Sequence, residues 1–232
     1  MTGLTQQLAE FISTLEFSRL PGEALPIVRQ GAIDCIGVMF AGRDEPVVRL
    51  VSGIVRMDAG QGEARLLFDR GQASAPHAAL VNATAGHALD YDDTGLDGHP
   101  SVVLVPAVLA EGERVRVSGA ELIAAYVAGY ETWAELSFRD QDRHHENGWH
   151  PSAVFGTVAA AAAAARLAHL DAGRATCALG IAASMASGLA GNFGTMTKPF
   201  QVGRAVQNGL TAARLAADGM TAAPDALEHR SG

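Results

Sequence analysis

The sequence predicts an all-α protein, a helical bundle forming one domain over residues 1–232. Three observations carry that expectation. Apolar residues recur at steps of three and four through most of the chain, the spacing of one helix face. Proline and glycine punctuate the periodic segments at their starts and ends. Only Ala64-Arg65-Leu66-Leu67-Phe68 reads as a strand, so β content is expected to be minimal.

Taken in order, Leu4, Leu8, Phe11, Ile12 and Leu15 define a first helix that ends near Arg19, before Pro21-Gly22. Ile27, Ala32, Ile36 and Met39 lie on one face of a second helix, with Gly42 as its carboxyl-terminal cap. A third runs from Glu45 to Met57 and is followed by a turn cluster over 58–63. Beyond the strand-like run, helices are expected over 75–89, 100–112, 118–139, 151–168, 171–189 and 203–218. Two of them open on the same tripeptide, His-Pro-Ser, at 99–101 and 150–152. Proline suits a first helical turn because its missing N–H would be unpaired there, so His99 and His150 each sit at a helix amino terminus. The run Ala159–Ala165, flanked by Phe155, Val158 and Leu167, predicts a helix buried on several sides.

Composition narrows the function classes. With 48% apolar and 18% charged residues the chain can build a sizeable core. A formal charge of −8 argues against nonspecific binding to nucleic acid or to an anionic membrane. The amino terminus has an amphipathic pattern without a basic start or a long apolar run, so neither a secretory signal nor a membrane span is expected. Cys35 and Cys177, lacking a CxxC partner, read as small core residues in a reducing compartment, and a cytoplasmic location follows.

Three polar islands interrupt the helices, at 87–99, 139–152 and 191–204. The first, HALDYDDTGLDGHPS when extended to Ser101, crowds acids and imidazoles into an otherwise mild chain. Crowded carboxylates repel unless a cation or imidazolium neutralises them, which gives Asp90, Asp92, Asp93 and His99 a reason to share a site. Taken alone, Asp92-Asp93 also reads as a solvated pair, His87 as a core histidine, and His144 and His145 as exposed. Lys198 is the sole lysine of the chain, the other sixteen basic residues being arginine. No metal is expected: the acidic run faintly resembles the magnesium motif of isoprenoid synthases, but a second such motif is missing. The spacing of His87, Asp90 and His99 matches no strong zinc signature.

The segments GAIDCIGVMFAG, NATAGHALDYDDT, GHPSVVLVPAVLAEGE, GWHPSAVFGTVAAAAAAARL and NFGTMTKPFQVGRAVQNGLTAARLAADGMT, in this order, resemble the MmgE/PrpD family nearly end to end. That resemblance implies a helical domain that houses most of an active site under a separate α/β lid. It implies dehydration, decarboxylation or epimerisation of a small di- or tricarboxylate, without a cofactor. By resemblance His99, His150, Asp90 and Lys198 are catalytic candidates and Thr94 a substrate-binding one; Asp93, from the acidic cluster, is a further substrate-binding candidate. Arg204 is a further carboxylate binder from its position alone. Gln201 departs from the family, which commonly has histidine there. The lid and the helices that return after it are not in this sequence, so a homodimer or a lid-containing polypeptide is expected as partner. The other class of function is a non-catalytic binding or assembly module.

Overall fold

The computed structural model describes residues 3–57, 62–141 and 143–230. Among these the chain forms nine α-helices and one two-stranded ribbon, which bears out the all-α expectation. In order they are α1 (Leu4–Thr14), α2 (Ala24–Gly42), α3 (Pro46–Met57), β1 (Ala64–Arg65), β2 (Gln72–Ala73), α4 (Ala75–His87), α5 (Pro100–Val115), α6 (Gly119–Phe138), α7 (Pro151–Leu167), α8 (Ala172–Met185) and α9 (Thr197–Ala217). The strands pair antiparallel, Ala64 with Ala73 and Arg65 with Gln72, so the strand-like run contributes only its first two residues. The expected turn cluster lies largely outside the described residues, since only its last two positions are among them.

The ends of the helices follow local chemistry. Ser118 and Glu121 close a capping box at the start of α6, and Asp171 accepts from Arg174 N at 2.9 Å to open α8. α1 stops at Thr14 rather than near Arg19, and α5 runs on to Val115 rather than stopping at 112. Two further boundaries differ from the sequence reading. α8 stops at Met185, and α9 begins at Thr197 rather than at Gly203. Pro199 explains the second: it takes the third position of the helix, where its missing N–H costs nothing, so Lys198 belongs to the first turn of α9 and not to a loop.

Helix α7 is the centre of the bundle. Every residue from Ala159 to Ala165 is buried, and α9 and α6 approach its small surface closely. At Gly209 of α9 a methyl group would stand 2.5 Å from Ala160 Cβ and 2.6 Å from Thr157 O. Contact that close requires glycine on one side and alanine on the other. α4 packs on the neighbouring face of α9, and α2 covers α4 and α5. By length and composition α2 is the one helix among the described residues that could cross a membrane. Here it buries one face and exposes Ile27, Ile33 and Phe40 on the other.

This packing makes a prediction that separates helix propensity from fit. Gly209→Ala should lower the unfolding free energy by roughly 1–3 kcal/mol, because its methyl overpacks the α7–α9 contact. Gly37→Ala, which meets nothing within 4 Å in the exposed middle of α2, should raise it by roughly 0.5–1 kcal/mol. Urea unfolding of both variants checks the pair; equal effects would mean that α7 and α9 are not in close contact.

Candidate functional site

Four helix ends converge on one spot. α4 delivers His87 at its last residue, α5 and α7 begin immediately after His99 and His150, and α9 carries Lys198 in its first turn. Three of these are amino-terminal ends, whose aligned peptide dipoles place partial positive charge around the spot.

The loop from Ala88 to His99 is fastened on every side. Gly95 and Gly98 exchange backbone hydrogen bonds across a two-residue turn, with Leu96 and Asp97 both left-handed at φ 52° and 59°. Trp133 Nε1 donates to Leu96 O at 3.0 Å, and His99 N donates to Ser152 Oγ at 3.1 Å. The serine of the second His-Pro-Ser thus holds the histidine of the first. A side chain at Gly98 would meet Ser152 Oγ and Trp133 Cζ2, each at 2.8 Å, so the loop can lie this close only through glycine.

The adjacent acids Asp92 and Asp93 face opposite partners. Asp93 turns to the start of α5, where its carboxylate accepts from Ser101 N at 3.2 Å and from Ser101 Oγ, which in turn contacts Tyr126 Oη at 2.8 Å. Burial and the charges of Asp92 and Asp34 raise its pKa even though the Ser101 bonds oppose the rise. Asp92 is buried between imidazoles: His87 Nδ1 lies 3.0 Å from its Oδ1, and His99 Nδ1 lies 3.1 Å from its Oδ2, close enough for charge attraction but off the line of a hydrogen bond. Burial alone would raise the Asp92 carboxyl, yet these two neighbours hold it down to about 2.

The imidazoles are driven apart in protonation. Burial disfavours the charged form of His99, but Asp92 beside it outweighs that cost and its pKa is raised. His150 has no such partner. Its burial, with His87, Lys198 and His99 nearby, lowers its pKa to about 4, against the opposing pull of a 2.8 Å contact from its Nδ1 to Gln201 Oε1. The His87 ring bridges the two, with centroids 4.6 Å from His99 and 5.9 Å from His150.

Lys198 Nζ forms an ion pair with Asp90 and lies 5.0 Å from the Phe193 ring centroid. Asp90 is itself left-handed at φ 56°, a conformation that strains a residue with a side chain and that the surrounding contacts must hold. Beside this pair opens a cleft of about 250 Å³ lined by His87, Asp90, Thr195, Met196 and Lys198. One donor atom each from His87, Asp90, Asp92 and His99 lie within 4.8 Å of one another, a set chemically able to take a divalent cation. Such a cation would compete with Lys198 for Asp90.

Of the residues singled out in the sequence, Asp90, His99, His150 and Lys198 therefore come together. Thr94 is exposed in the same loop, and Asp93 serves the wall behind the site. Arg204 does not join them: it lines a separate cleft with His77, Phe200 and Gln207 and bonds to Gln207. His144 bonds to Asp140 and His145 is exposed against Phe193. In the sequence Asp92 stands out only as a member of the acidic cluster, His87 as a core histidine and Gln201 as a departure from the family, none of them with a role of its own. His87 and Asp92 meet across a helix end five residues apart, and Gln201 meets His150 from a different helix, so no local spacing marks either pair.

The profile of the MmgE/PrpD N-terminal domain matches residues 6–232. The chain belongs to the MmgE/PrpD family. Three cis-aconitate decarboxylases are among its relatives. The human protein is 28% identical over 246 residues, aligning all of this chain with 50% of its own length. The proteins of Mus musculus and Aspergillus terreus are each 29% identical, again over all of this chain and 49% of their own. The chain thus spans about half the length of these MmgE/PrpD relatives.

The shared carboxylate makes a pH-dependent prediction. Because the pKa of His99 is raised, the stability gained from its charge is complete below the ordinary value of 6.5 and is lost as pH rises through the folded value. Replacing Asp92 by Asn removes that gain and leaves buried imidazole N–H groups poorly satisfied. Urea unfolding should show a loss of roughly 1–3 kcal/mol at about pH 6 and a smaller loss at about pH 8. An equal loss at both would mean that Asp92 does not favour charge on His99.

Proposed function

We propose that this domain carries out acid/base chemistry on a small di- or tricarboxylate, alone or as part of a larger active unit. The observation that supports the reading best is a pair of histidines in opposite states, half-buried His99 favoured as the cation and buried His150 as the neutral ring. Catalysis at a carbon next to a carboxylate needs one group to take a proton, another to give one, and cations to hold the developing negative charge.

In this reading a substrate carboxylate takes the place of Asp90 as the partner of Lys198, with the imidazolium of His99 close by. Phe193, whose ring lies against both Lys198 and His150, moves aside on entry. For dehydration, Nε2 of neutral His150 removes the proton next to a carboxylate while His99 gives one to the departing hydroxyl, which leaves as water; for epimerisation His150 removes that proton and His99 returns one to the opposite face of the same carbon. For decarboxylation the bond to the departing carboxylate breaks and CO2 leaves. The electron pair left on carbon is then delocalised toward a second carboxylate, and His99 returns a proton to carbon. Asp92 keeps its charge throughout and holds His99 ready to be reprotonated. The decarboxylases among the relatives make cis-aconitate the first substrate to test.

A second polypeptide belongs to the same proposal. Ile33 and Phe40 on α2 and Leu50, Ile54 and Met57 on α3 are exposed apolar side chains of the kind that a partner covers. That partner is a second copy of this chain or a lid-bearing polypeptide.

The test is an NMR assay of the chain with cis-aconitate, citrate, 2-methylcitrate and iminodisuccinate, alone and with a lid-bearing polypeptide of the family. One of these substrates should be consumed, and Lys198→Ala or His150→Ala should slow that by roughly 10²-fold or more. A folded chain that binds the acids yet turns none over in either setting would contradict the proposal and favour a binding module.

A further inference from the structure

The side-chain amide of Gln201 serves two partners. Its Oε1 lies 2.8 Å from His150 Nδ1, and its Nε2 donates to Leu189 O at 3.2 Å. The second contact decides the first. A backbone carbonyl can only accept, so the NH2 end of the amide must face Leu189 and the oxygen end is left for the imidazole. With the amide reversed, two acceptor oxygens would face each other.

Leu189 is not free to relax this choice. It is bridged to Trp149, while His150 N donates to Gly188 O at 3.0 Å and Ala190 N to Gly148 O at 2.8 Å. Gly188, at φ 129°, permits the approach: a side chain there would meet Ala153 Cβ at 2.7 Å and both Gln201 Oε1 and His150 Cβ at 3.4 Å. The strand-like segment that brings His150 to the head of α7 therefore also fixes the carbonyl that orients Gln201.

We propose that Gln201 is a positioning residue that locks His150 in the Nδ1–H tautomer and so leaves the lone pair of the ring on Nε2. An amide oxygen has no proton to give, so the ring nitrogen facing it must be the donor. Nε2, buried and without a partner among the described residues, is then the only basic position of the neutral ring. The groups around it reinforce neutrality: His87 from α4, His99 ahead of α5 and Lys198 from α9 all oppose a further positive charge. Gln201 pulls the other way through its contact with Nδ1, but without a charge of its own it does not outweigh them. The inference rests on the reading of His150 as the base and specifies which atom of it acts.

The test is long-range proton–nitrogen correlation NMR on the 232-residue chain with 15N-labelled histidine, His150 being assigned by the signal that His150→Gln removes. Nδ1 should appear as the protonated nitrogen and Nε2 as the bare one, down to about pH 5, since burial holds the ring to about 4. Gln201→Glu should raise the titration of His150 by roughly one to three units through the new charge. Gln201→Leu should let the Nε2–H form appear, and in any assay with turnover should lower kcat/KM by roughly 10²-fold. A bare Nδ1 in the unmodified chain, or a titration that Gln201→Glu leaves unmoved, would overturn the proposal. Undiminished turnover in His150→Gln would instead overturn the reading of His150 as the base, and with it the positioning role.

Discussion

A single carboxylate with no access to water, Asp92, organises the site. An isolated charge at that depth would be costly, and it is tolerated because two imidazoles contact its oxygens. The same contact makes His99 easier to charge, whereas His150, one ring further from the carboxylate, stays neutral. Two histidines of the same chemistry and the same His-Pro-Ser setting thus acquire opposite roles from their surroundings. At the edge of the site Lys198 and Asp90 form a second, separate ion pair.

Holding four helix ends around that carboxylate demands a bundle packed closely enough to leave no play. The small residues of α7 and α9 meet this demand. Gly203 brings α9 within reach of Leu80 O and Thr84 Oγ1 on α4, and Gly209 brings it against α7. α9 is therefore fixed to two of the three helices that bring imidazoles to the site, and its first turn, with Lys198 and Gln201 three residues on, is aimed by the packing of the rest. A second ionic centre lies beyond the site: buried Glu111 is held by Arg114 and Arg214, and Arg214 also reaches Glu63 beside the ribbon. It joins α5, α9 and the β1 approach without taking part in the chemistry.

Much of this could be read in the residues. Helical periodicity placed most of the elements, and the repeated His-Pro-Ser placed two histidines at helix starts, because proline acts locally and leaves a local mark. The lone lysine drew attention by composition, although its helix was expected to begin later. What the sequence could not show depends on partners brought together from distant segments. Asp92 and Asp93 are neighbours in the chain, and only the fold determines that one meets histidines while the other braces Ser101. His87 looked like a core residue, and it is buried, but its burial serves the carboxylate. Arg204, attractive by proximity to Lys198 in sequence, lies six positions along the helix and opens onto another cleft.

The claim on which the account turns is that Asp92 separates the protonation of His99 and His150. Titration of the labelled histidines by NMR, following His99 and His150 in one sample between about pH 4 and 9, measures it directly. Charge on His99 persisting above 6.5 while His150 remains neutral throughout that upper range is the predicted result. Two histidines that titrate together near 6.5 would contradict it.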